Sequence, residues 1–292
     1  MSSSEIRLKS GKTVGLSEAF VAQSSAIVGR EMETHKIIAC WIGNGRLPLS
    51  PLLVGDPGLG KNRIVYECST LCAKDLYIYQ GHQDVSAEDL ICAVRFSDDP
   101  GRKMDYILSP IATAMLKGAV CFIDEIGKIG SRALAPLASV LDERRYVDSN
   151  LLGERIHAHP GFRFVAATNV SDLEGDTFPD FIRSRLRPVI DVGYPSTEEI
   201  EGIVRSCFCS LNNNGIPLFS RFWSNWRKAF GEKPPTPRDA KYIFGLALNF
   251  ADFEAASDRP YNLESTGPAS LRPEHIEQAF EAFAEKSQEC VS

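Results

Sequence analysis

Between residues 52 and 192 short apolar runs alternate with stretches whose apolar residues recur at helical spacing, and no other feature limits the fold so strongly. The runs at 52–54, 76–80, 120–123, 162–167 and 189–192 are β-branched or aromatic and end in polar or turn residues, so they read as five buried strands. Between them, 63–73, 87–94, 110–116 and 133–141 have helix-compatible spacing, with Pro136 marking a late start or a kink in the last. Strand and helix in turn are the pattern of a parallel sheet covered by helices. After Gly193-Tyr194-Pro195-Ser196 the pattern becomes helical, over 198–211, 220–230, 237–251 and 273–286. The expected organisation is an α/β domain over residues 1–193 and a small helical domain over 194–292, with no internal repeat.

The chain has 292 residues, enough for one large and one small domain, and its 43% hydrophobic and 24% charged residues are ordinary globular values. Its first twelve residues are polar, and no apolar run approaches the roughly 18 residues a membrane span needs. A cytoplasmic protein without membrane attachment is expected. The net charge of −6 argues against a general affinity for nucleic acid, although a local basic patch stays compatible with it. The eight cysteines contain no C-x-x-C pair and mostly sit in apolar stretches, so they read as buried, reduced thiols. The five histidines lack metal-ligand spacing.

Two motifs carry chemistry. Gly55-Asp56-Pro57-Gly58-Leu59-Gly60-Lys61-Asn62 follows the first strand and opens a helix. In that position glycines let successive backbone N–H groups curl around phosphate oxygens, the helix N-terminus adds a favourable dipole, and Lys61 can reach the β- and γ-phosphates. The string alone arises easily by accident. The second motif, Ala119-Val120-Cys121-Phe122-Ile123-Asp124-Glu125, is a buried strand ending in two carboxylates, a costly placement without a cation. Asp124 can hold Mg²⁺ and Glu125 can polarise the water that attacks a γ-phosphate. The spacing from Lys61 leaves room for one or two strand–helix units between the motifs, which favours this reading over a simple turn.

With those residues in hand, the chain resembles AAA+ ATPases of the MoxR and midasin/dynein-related group over nearly its full length. The segment Ile27-Val28-Gly29-Arg30-Glu31 is similar to the one that helps enclose adenine, with Val28 and Gly29 at the nucleotide. Gly55 to Asn62 resembles Walker A and Ala119 to Glu125 Walker B. Between them Gln80-Gly81-His82-Gln83-Asp84 resembles the family's second-strand segment. Residues 141–147 and 154–157 look like the hairpin ahead of sensor 1, and Ala166-Ala167-Thr168-Asn169 like sensor 1 itself. Pro179-Asp180-Phe181-Ile182-Arg183-Ser184-Arg185-Leu186 resembles the arginine-finger segment, and Thr236-Pro237-Arg238-Asp239 resembles sensor 2.

The resemblance implies a P-loop NTPase fold, α/β with a parallel five-stranded sheet flanked by helices, followed by a small α-helical lid. It also implies ATP and Mg²⁺ as cofactors, ATP hydrolysis to ADP and phosphate, and a homo-oligomeric ring, hexameric in the family, acting on a protein client or partner subunit. Asn169 would hydrogen-bond the attacking water or the γ-phosphate. A finger comes from the neighbouring subunit; Arg185 is the first candidate and Arg183 the second, against the alternative that both only solvate a helix face. Arg238 would reach the γ-phosphate in cis or in trans.

One residue departs from the family pattern. Thr or Ser normally follows the P-loop lysine and ligates Mg²⁺; here the residue is Asn62, whose amide oxygen is a hard but longer, neutral ligand. Weaker magnesium binding or slower turnover would follow, down to a nucleotide-gated scaffold. Arg144, Arg145, Arg155, His157 and His159 surround the hairpin and could meet a client or nucleic acid, although a solvated hairpin accounts for them as well. Phe219, Phe222, Trp223, Trp226 and Phe230 form a stripe at helical spacing and read as lid core. The loop 97–103 suits a channel loop or a plain connection. A protein-remodelling ATPase is the favoured reading, with a nucleic-acid-directed subunit of the McrB type as the alternative.

Overall fold

The computed structural model describes residues 5–22, 27–43, 45–97, 101, 103–173, 178–208, 211, 215–255 and 271–289. The chain divides into two compact units, one of Met1–Ser24, Arg30–Asp56 and Lys61–Val192, the other of Ser25–Gly29, Pro57–Gly60 and Gly193–Ser292.

The described strands are β1 (Glu5–Arg7), β2 (Thr13–Gly15), β3 (Ser50–Val54), β4 (Leu76–Gln80), β5 (Cys92–Phe96), β6 (Met104–Leu108), β7 (Val120–Asp124), β8 (Tyr146–Ser149), β9 (Glu154–His157), β10 (Arg163–Thr168) and β11 (Leu186–Asp191). The described α-helices are α1 (Glu31–Trp41), α2 (Lys61–Leu71), α3 (Pro110–Lys117), α4 (Ser131–Leu134), α5 (Leu137–Val140), α6 (Asp180–Arg183), α7 (Thr197–Cys207), α8 (Gly215–Phe230), α9 (Pro237–Ala255) and α10 (Pro273–Glu289).

In the first unit, the five strands expected from sequence form one parallel sheet in the order β11-β3-β10-β7-β4. Leu52, Leu53, Val120, Cys121, Phe122, Ile123, Val165 and Ala166 are all buried, as strands covered on both faces require. The register matters for function. Thr168 lies opposite Val54, and Gln80 opposite Asp124, so the carboxyl ends of four neighbouring strands fall level. In open α/β sheets ligands bind at that edge.

Helix α2 buries Lys61, Ile64, Val65, Cys68 and Ser69, an i, i+3, i+4, i+7, i+8 face that seats its first residue at the sheet edge. Helix α3 starts where Ser109 accepts from the Ala112 N–H, with Pro110 in the first turn. Pro136 separates α4 from α5, the break expected for 133–141.

The helix expected over 87–94 does not form. Turns lead there directly into β5, which pairs antiparallel with β6 from Cys92↔Leu108 to Phe96↔Met104. The spacing of Leu90, Ile91 and Val94 mimics a helical face, but Leu90 and Ile91 are turn residues packed in the core while Val94 is an exposed strand residue. Strands β1, β2, β6 and β5 make a second sheet that the sequence did not reveal. Most of the 97–103 loop falls outside the described residues.

The second unit is helical. Ser196 and Glu199 form a reciprocal capping box at the start of α7. Phe219, Phe222 and Trp226 of α8 are buried with Phe244, Ile276 and Phe280, and Trp223 and Phe230 pack against them, so the aromatic stripe is core. Helix α8 starts at Gly215, five residues before its expected start, because Leu218 and Phe219 belong to the same buried face.

Cys40, Cys68, Cys92 and Cys121 are buried and Cys72 half-buried, but Cys207 is exposed at the end of α7, against the expectation of a buried thiol. Burial pushes the thiol of Cys68 up to about 12 and that of Cys92 up to about 11. Cys209 and Cys290 lie outside the described residues. Among the described residues no helix is long and apolar enough to cross a membrane.

Candidate nucleotide site

In the first unit, Gly55 follows β3, Lys61 opens α2, Asp124 ends β7 with Glu125 directly after it, and Asn169 follows β10. Lys61 is 7% exposed. Its ammonium donates to Gly55 O at 2.6 Å, Asp56 O at 3.0 Å and Asn169 Oδ1 at 2.9 Å. A buried cation needs such acceptors, and here they come from the loop and from the candidate sensor 1. The Asn169 Nδ2 donates onward to Asp172 Oδ2 at 3.4 Å, a long hydrogen bond.

Asn62 donates its Nδ2 to Asp124 Oδ2 at 2.6 Å. Burial raises the carboxyl of Asp124, with Glu125 adding to the rise, while the bonds from Asn62 and its own backbone neighbour and the charge of Lys61 act against it. A half-buried carboxylate beside a carboxamide is a hard-oxygen donor set suited to Mg²⁺ that keeps part of its water. Asn62 must turn its amide to present Oδ1 to the ion. The Tyr66 hydroxyl, one turn along α2, is also hydrogen-bonded to Asn62 and raised by burial.

Glu125 has the left-handed backbone, φ 55 and ψ 41, rare for a residue with a long side chain. Its Oε2 receives Gln80 Nε2 at 2.8 Å and Lys128 Nζ at 2.9 Å. Gln80 arrives because it ends the strand next to β7; Lys128 arrives through the 3-10 turn Ile126–Lys128. Motif reading alone missed both partners. The signal for Gln80 was its place in the second-strand segment; Lys128 had only its i+3 spacing from Glu125.

The candidate fingers sit at the end of α6. Arg185 donates Nη1 to Phe181 O at 2.7 Å and places Nη2 3.5 Å from Asp142, and its Nε is buried without a hydrogen-bond partner. Arg183 reaches Leu173 O at 3.5 Å and stacks over Phe178. The hairpin cations are already engaged. Arg144 pairs with Asp142 at 2.7 Å and Arg155 with Asp148 at 2.7 Å, both over the Tyr146 ring, and Arg145 donates to Phe162 O at 3.0 Å.

In the second unit, Gly58 and Gly60 have φ of +88 and +90. Only glycine takes such angles without strain, and an open, curled loop is what phosphate cradling needs. A Cβ on Gly58 would come 2.8 Å from Thr236 Oγ1 and 3.1 Å from Arg238 Cβ, whereas one on Gly60 would meet nothing within 4 Å. Pro57 and Leu59 complete this stretch, with Leu59 buried. Thr236 and Asp239 cap α9 reciprocally, Thr236 Oγ1 donating to Asp239 Oδ2 at 2.8 Å and accepting the Asp239 N–H at 3.2 Å, and the exposed Arg238 lies in that first turn. Val28 and Gly29 pack on α7, Val28 against Gly202 and Gly29 against Glu199.

A parallel five-stranded sheet with a phosphate loop opening a helix and two carboxylates on a central strand defines the P-loop nucleoside triphosphatase class. Residues 50–186, a little under half of the chain, carry a match to the AAA domain (dynein-related subfamily).

The chain is similar to Protein NorQ of Paracoccus denitrificans, 33% identical over 121 residues, 41% of this chain and 44% of that protein. It is 28% identical to Protein CbbQ of Hydrogenophilus thermoluteolus over 165 residues, 54% of this chain and 58% of that one. The matched region thus spans about half the length of these relatives. Among solved structures, the Thermotoga maritima RuvB Holliday junction branch migration motor superposes with a TM-score of 0.53 at 17% identity, covering 87% of this chain and 70% of that one, a likeness of fold.

Proposed function

We propose that this chain binds ATP with Mg²⁺, hydrolyses it, and does so as a ring in which each subunit completes its neighbour's site. What supports the reading most is a single polar network at the sheet edge: Lys61 on Asn169, Asn62 on Asp124, and Glu125 held beside them.

Lys61 is held in place for the β- and γ-phosphates, exchanging its contact with Asn169 for phosphate oxygens. The N–H groups of Gly58 and Gly60 cradle the phosphates, together with Gly55, Asp56, Pro57 and Leu59 of the same loop. Asp124 and Asn62 would hold Mg²⁺, which would supply positive charge to the phosphate oxygens. Glu125 orients the attacking water and accepts its proton, and Asn169 fixes that water or the γ-phosphate. Arg185, or Arg183 in its place, supplies the finger in trans, Arg238 approaches from the lid, and Val28 and Gly29 border the adenine.

The energy of hydrolysis remodels or matures a protein client, as the MoxR resemblance implies. A nucleic-acid partner is disfavoured, because the hairpin cations are paired with carboxylates of the same hairpin region or bonded to carbonyls, and the chain carries net negative charge.

Mixing tests the reading as a whole. Arg185→Ala and Glu125→Gln should each lose about 10³-fold in turnover or more while keeping ATP affinity, and mixed together they should recover activity at hybrid interfaces. A mixture that stays inactive although the two variants co-assemble overturns the finger in trans; full turnover by Glu125→Gln overturns the hydrolytic assignment.

A further inference from the structure

Three cations meet at the amino edge of the parallel sheet, the edge opposite Gly55, Asp124 and Asn169. Register puts the first residues of three strands level there, Leu76 and Arg163 both lying opposite Val120. Lys74 precedes β4, Arg163 opens β10, and Arg145 directly precedes β8. The turn before β10 receives all three on consecutive carbonyls. Arg163 Nη1 donates to Pro160 O and to Phe162 O, each at 2.9 Å, Lys74 Nζ to Gly161 O at 2.8 Å, and Arg145 Nη2 to Phe162 O at 3.0 Å. Two guanidinium groups thus share one acceptor. Lys74 also donates to Gly118 O at 2.8 Å, at the end of α3, and Arg163 Nε to Trp41 O, at the end of α1.

These carbonyls do not neutralise the cluster. A helix C-terminus presents about half a negative charge, so two helix ends offset about one of the three positive charges. Among the described residues none of the three cations pairs with a carboxylate; their hydrogen bonds all go to carbonyl oxygens. Burial and then the charge of Arg163 lower the Lys74 ammonium, the same two causes lower Arg145, and burial lowers Arg163, with Cys72 acting the other way on Lys74 and Arg163. An uncompensated, half-buried group of like charges is costly, and an anion beside it would relieve that cost.

The cluster also keeps donors to offer. Arg145 Nε and Nη1 and Arg163 Nη2 have no acceptor among the described residues, and none of them is closed off from solvent. Lys74 has spent two of its three N–H groups. The three side chains converge on one turn rather than along a track, which suits one small anion better than a polymer backbone.

We propose that this turn is a binding site for a phosphate-class oxyanion, held by Arg145 and Arg163 with Lys74 as the third charge. The planar guanidinium fork matches the spacing of phosphate oxygens, and the ammonium supplies a point charge. The site lies at the other edge of the sheet from Lys61, so it is separate from the phosphate loop and does not depend on the hydrolytic reading.

Inorganic phosphate is the probe, added to the full chain and to its Lys61→Ala variant, in which the phosphate loop is weakened. Sodium chloride at matched ionic strength is the control. In ¹⁵N-arginine-labelled protein the Nε–Hε cross-peaks of Arg145 and Arg163, identified by their loss in Arg145→Lys and Arg163→Lys, should move and saturate with phosphate in both proteins and stay put with chloride. Read at Arg163, Arg145→Met and Lys74→Met should each weaken phosphate binding about tenfold, the scale of one hydrogen bond to a charged group, and Lys74→Arg should bind as the parent does.

ATP added to Lys61→Ala separates two sources of the same chemistry. An effect no tighter than that of phosphate supports a free anion as the ligand, and a tighter one supports the terminal phosphate of a nucleotide. The titration of the unsubstituted residues decides whether the site exists even where a methionine variant does not fold. Cross-peaks that do not saturate, that move equally with chloride, or that move only while Lys61 is present overturn the site, as does unchanged affinity in folded Arg145→Met and Lys74→Met.

Discussion

Gly58→Ala and Gly60→Ala form a matched pair in which one variant carries a penalty the other lacks. Both residues have φ near +90, so each alanine bears a similar backbone strain, about 1–2 kcal/mol. Each also gains the same ~0.4–1 kcal/mol from a less flexible unfolded chain, and both terms cancel when the two are compared. What remains is the new methyl group. On Gly60 it enters open space; on Gly58 it would sit 2.8 Å from Thr236 Oγ1 and 3.1 Å from Arg238 Cβ. The Thr236 hydroxyl cannot yield without losing its reciprocal bonds to Asp239, which start α9. Overpacking of this kind costs about 1–3 kcal/mol. Urea unfolding without nucleotide, followed by tryptophan fluorescence, is the assay, since Trp223 and Trp226 belong to the helical unit. With a slope of about 2 kcal/mol/M, the Gly58→Ala midpoint should lie ~0.5–1.5 M below that of Gly60→Ala. Coincident midpoints would refute the close approach of Thr236 and Arg238 to the phosphate loop.

Lys61→Ala should lose ATP binding itself, because the phosphates would be left without their side-chain counter-ion; undiminished heat in isothermal titration would refute it. Asn62→Thr removes the 2.6 Å bond to Asp124 and supplies a hydroxyl ligand, so half-maximal hydrolysis should need less magnesium, and an unchanged requirement means that residue 62 does not touch the ion. Phe222→Ala should destabilise the helical unit by about 3–5 kcal/mol, since Phe222 is wholly buried with Trp223, Phe244 and Trp226 rings 5.0, 5.4 and 5.9 Å away; a midpoint within error of the parent would contradict that core.

The parallel sheet was legible because each of its strands is a short, nearly continuous apolar run, the pattern burial on both faces imposes. The aromatic stripe of α8 was legible for the same reason at helical spacing. The second sheet was not: β1 and β2 are three residues each, β1 buries none of its residues, and neither leaves a periodic trace. Residues 87–94 misled because Leu90, Ile91 and Val94 satisfy a helical template while pairing with β6 decides the conformation from Cys92 onward. At the candidate site, residues tied to local motifs were readable. Gln80 and Lys128 were not, because their contact with Glu125 depends on the register of β4 against β7 and on a positive φ at a glutamate, neither of which any local pattern encodes.

That positive φ ties stability to chemistry. A left-handed backbone at a residue other than glycine typically costs about 1–3 kcal/mol, and Asn or Gly tolerates it better than Glu. Selection for fold stability alone therefore works against a glutamate at position 125, and its retention among relatives would be an index of demand for hydrolysis. A lineage that kept this chain only as a nucleotide-gated scaffold would be free to relax position 125 toward Asn or Gly while leaving Lys61 in place. Such paired substitution patterns would separate working motors from retired ones without a single assay.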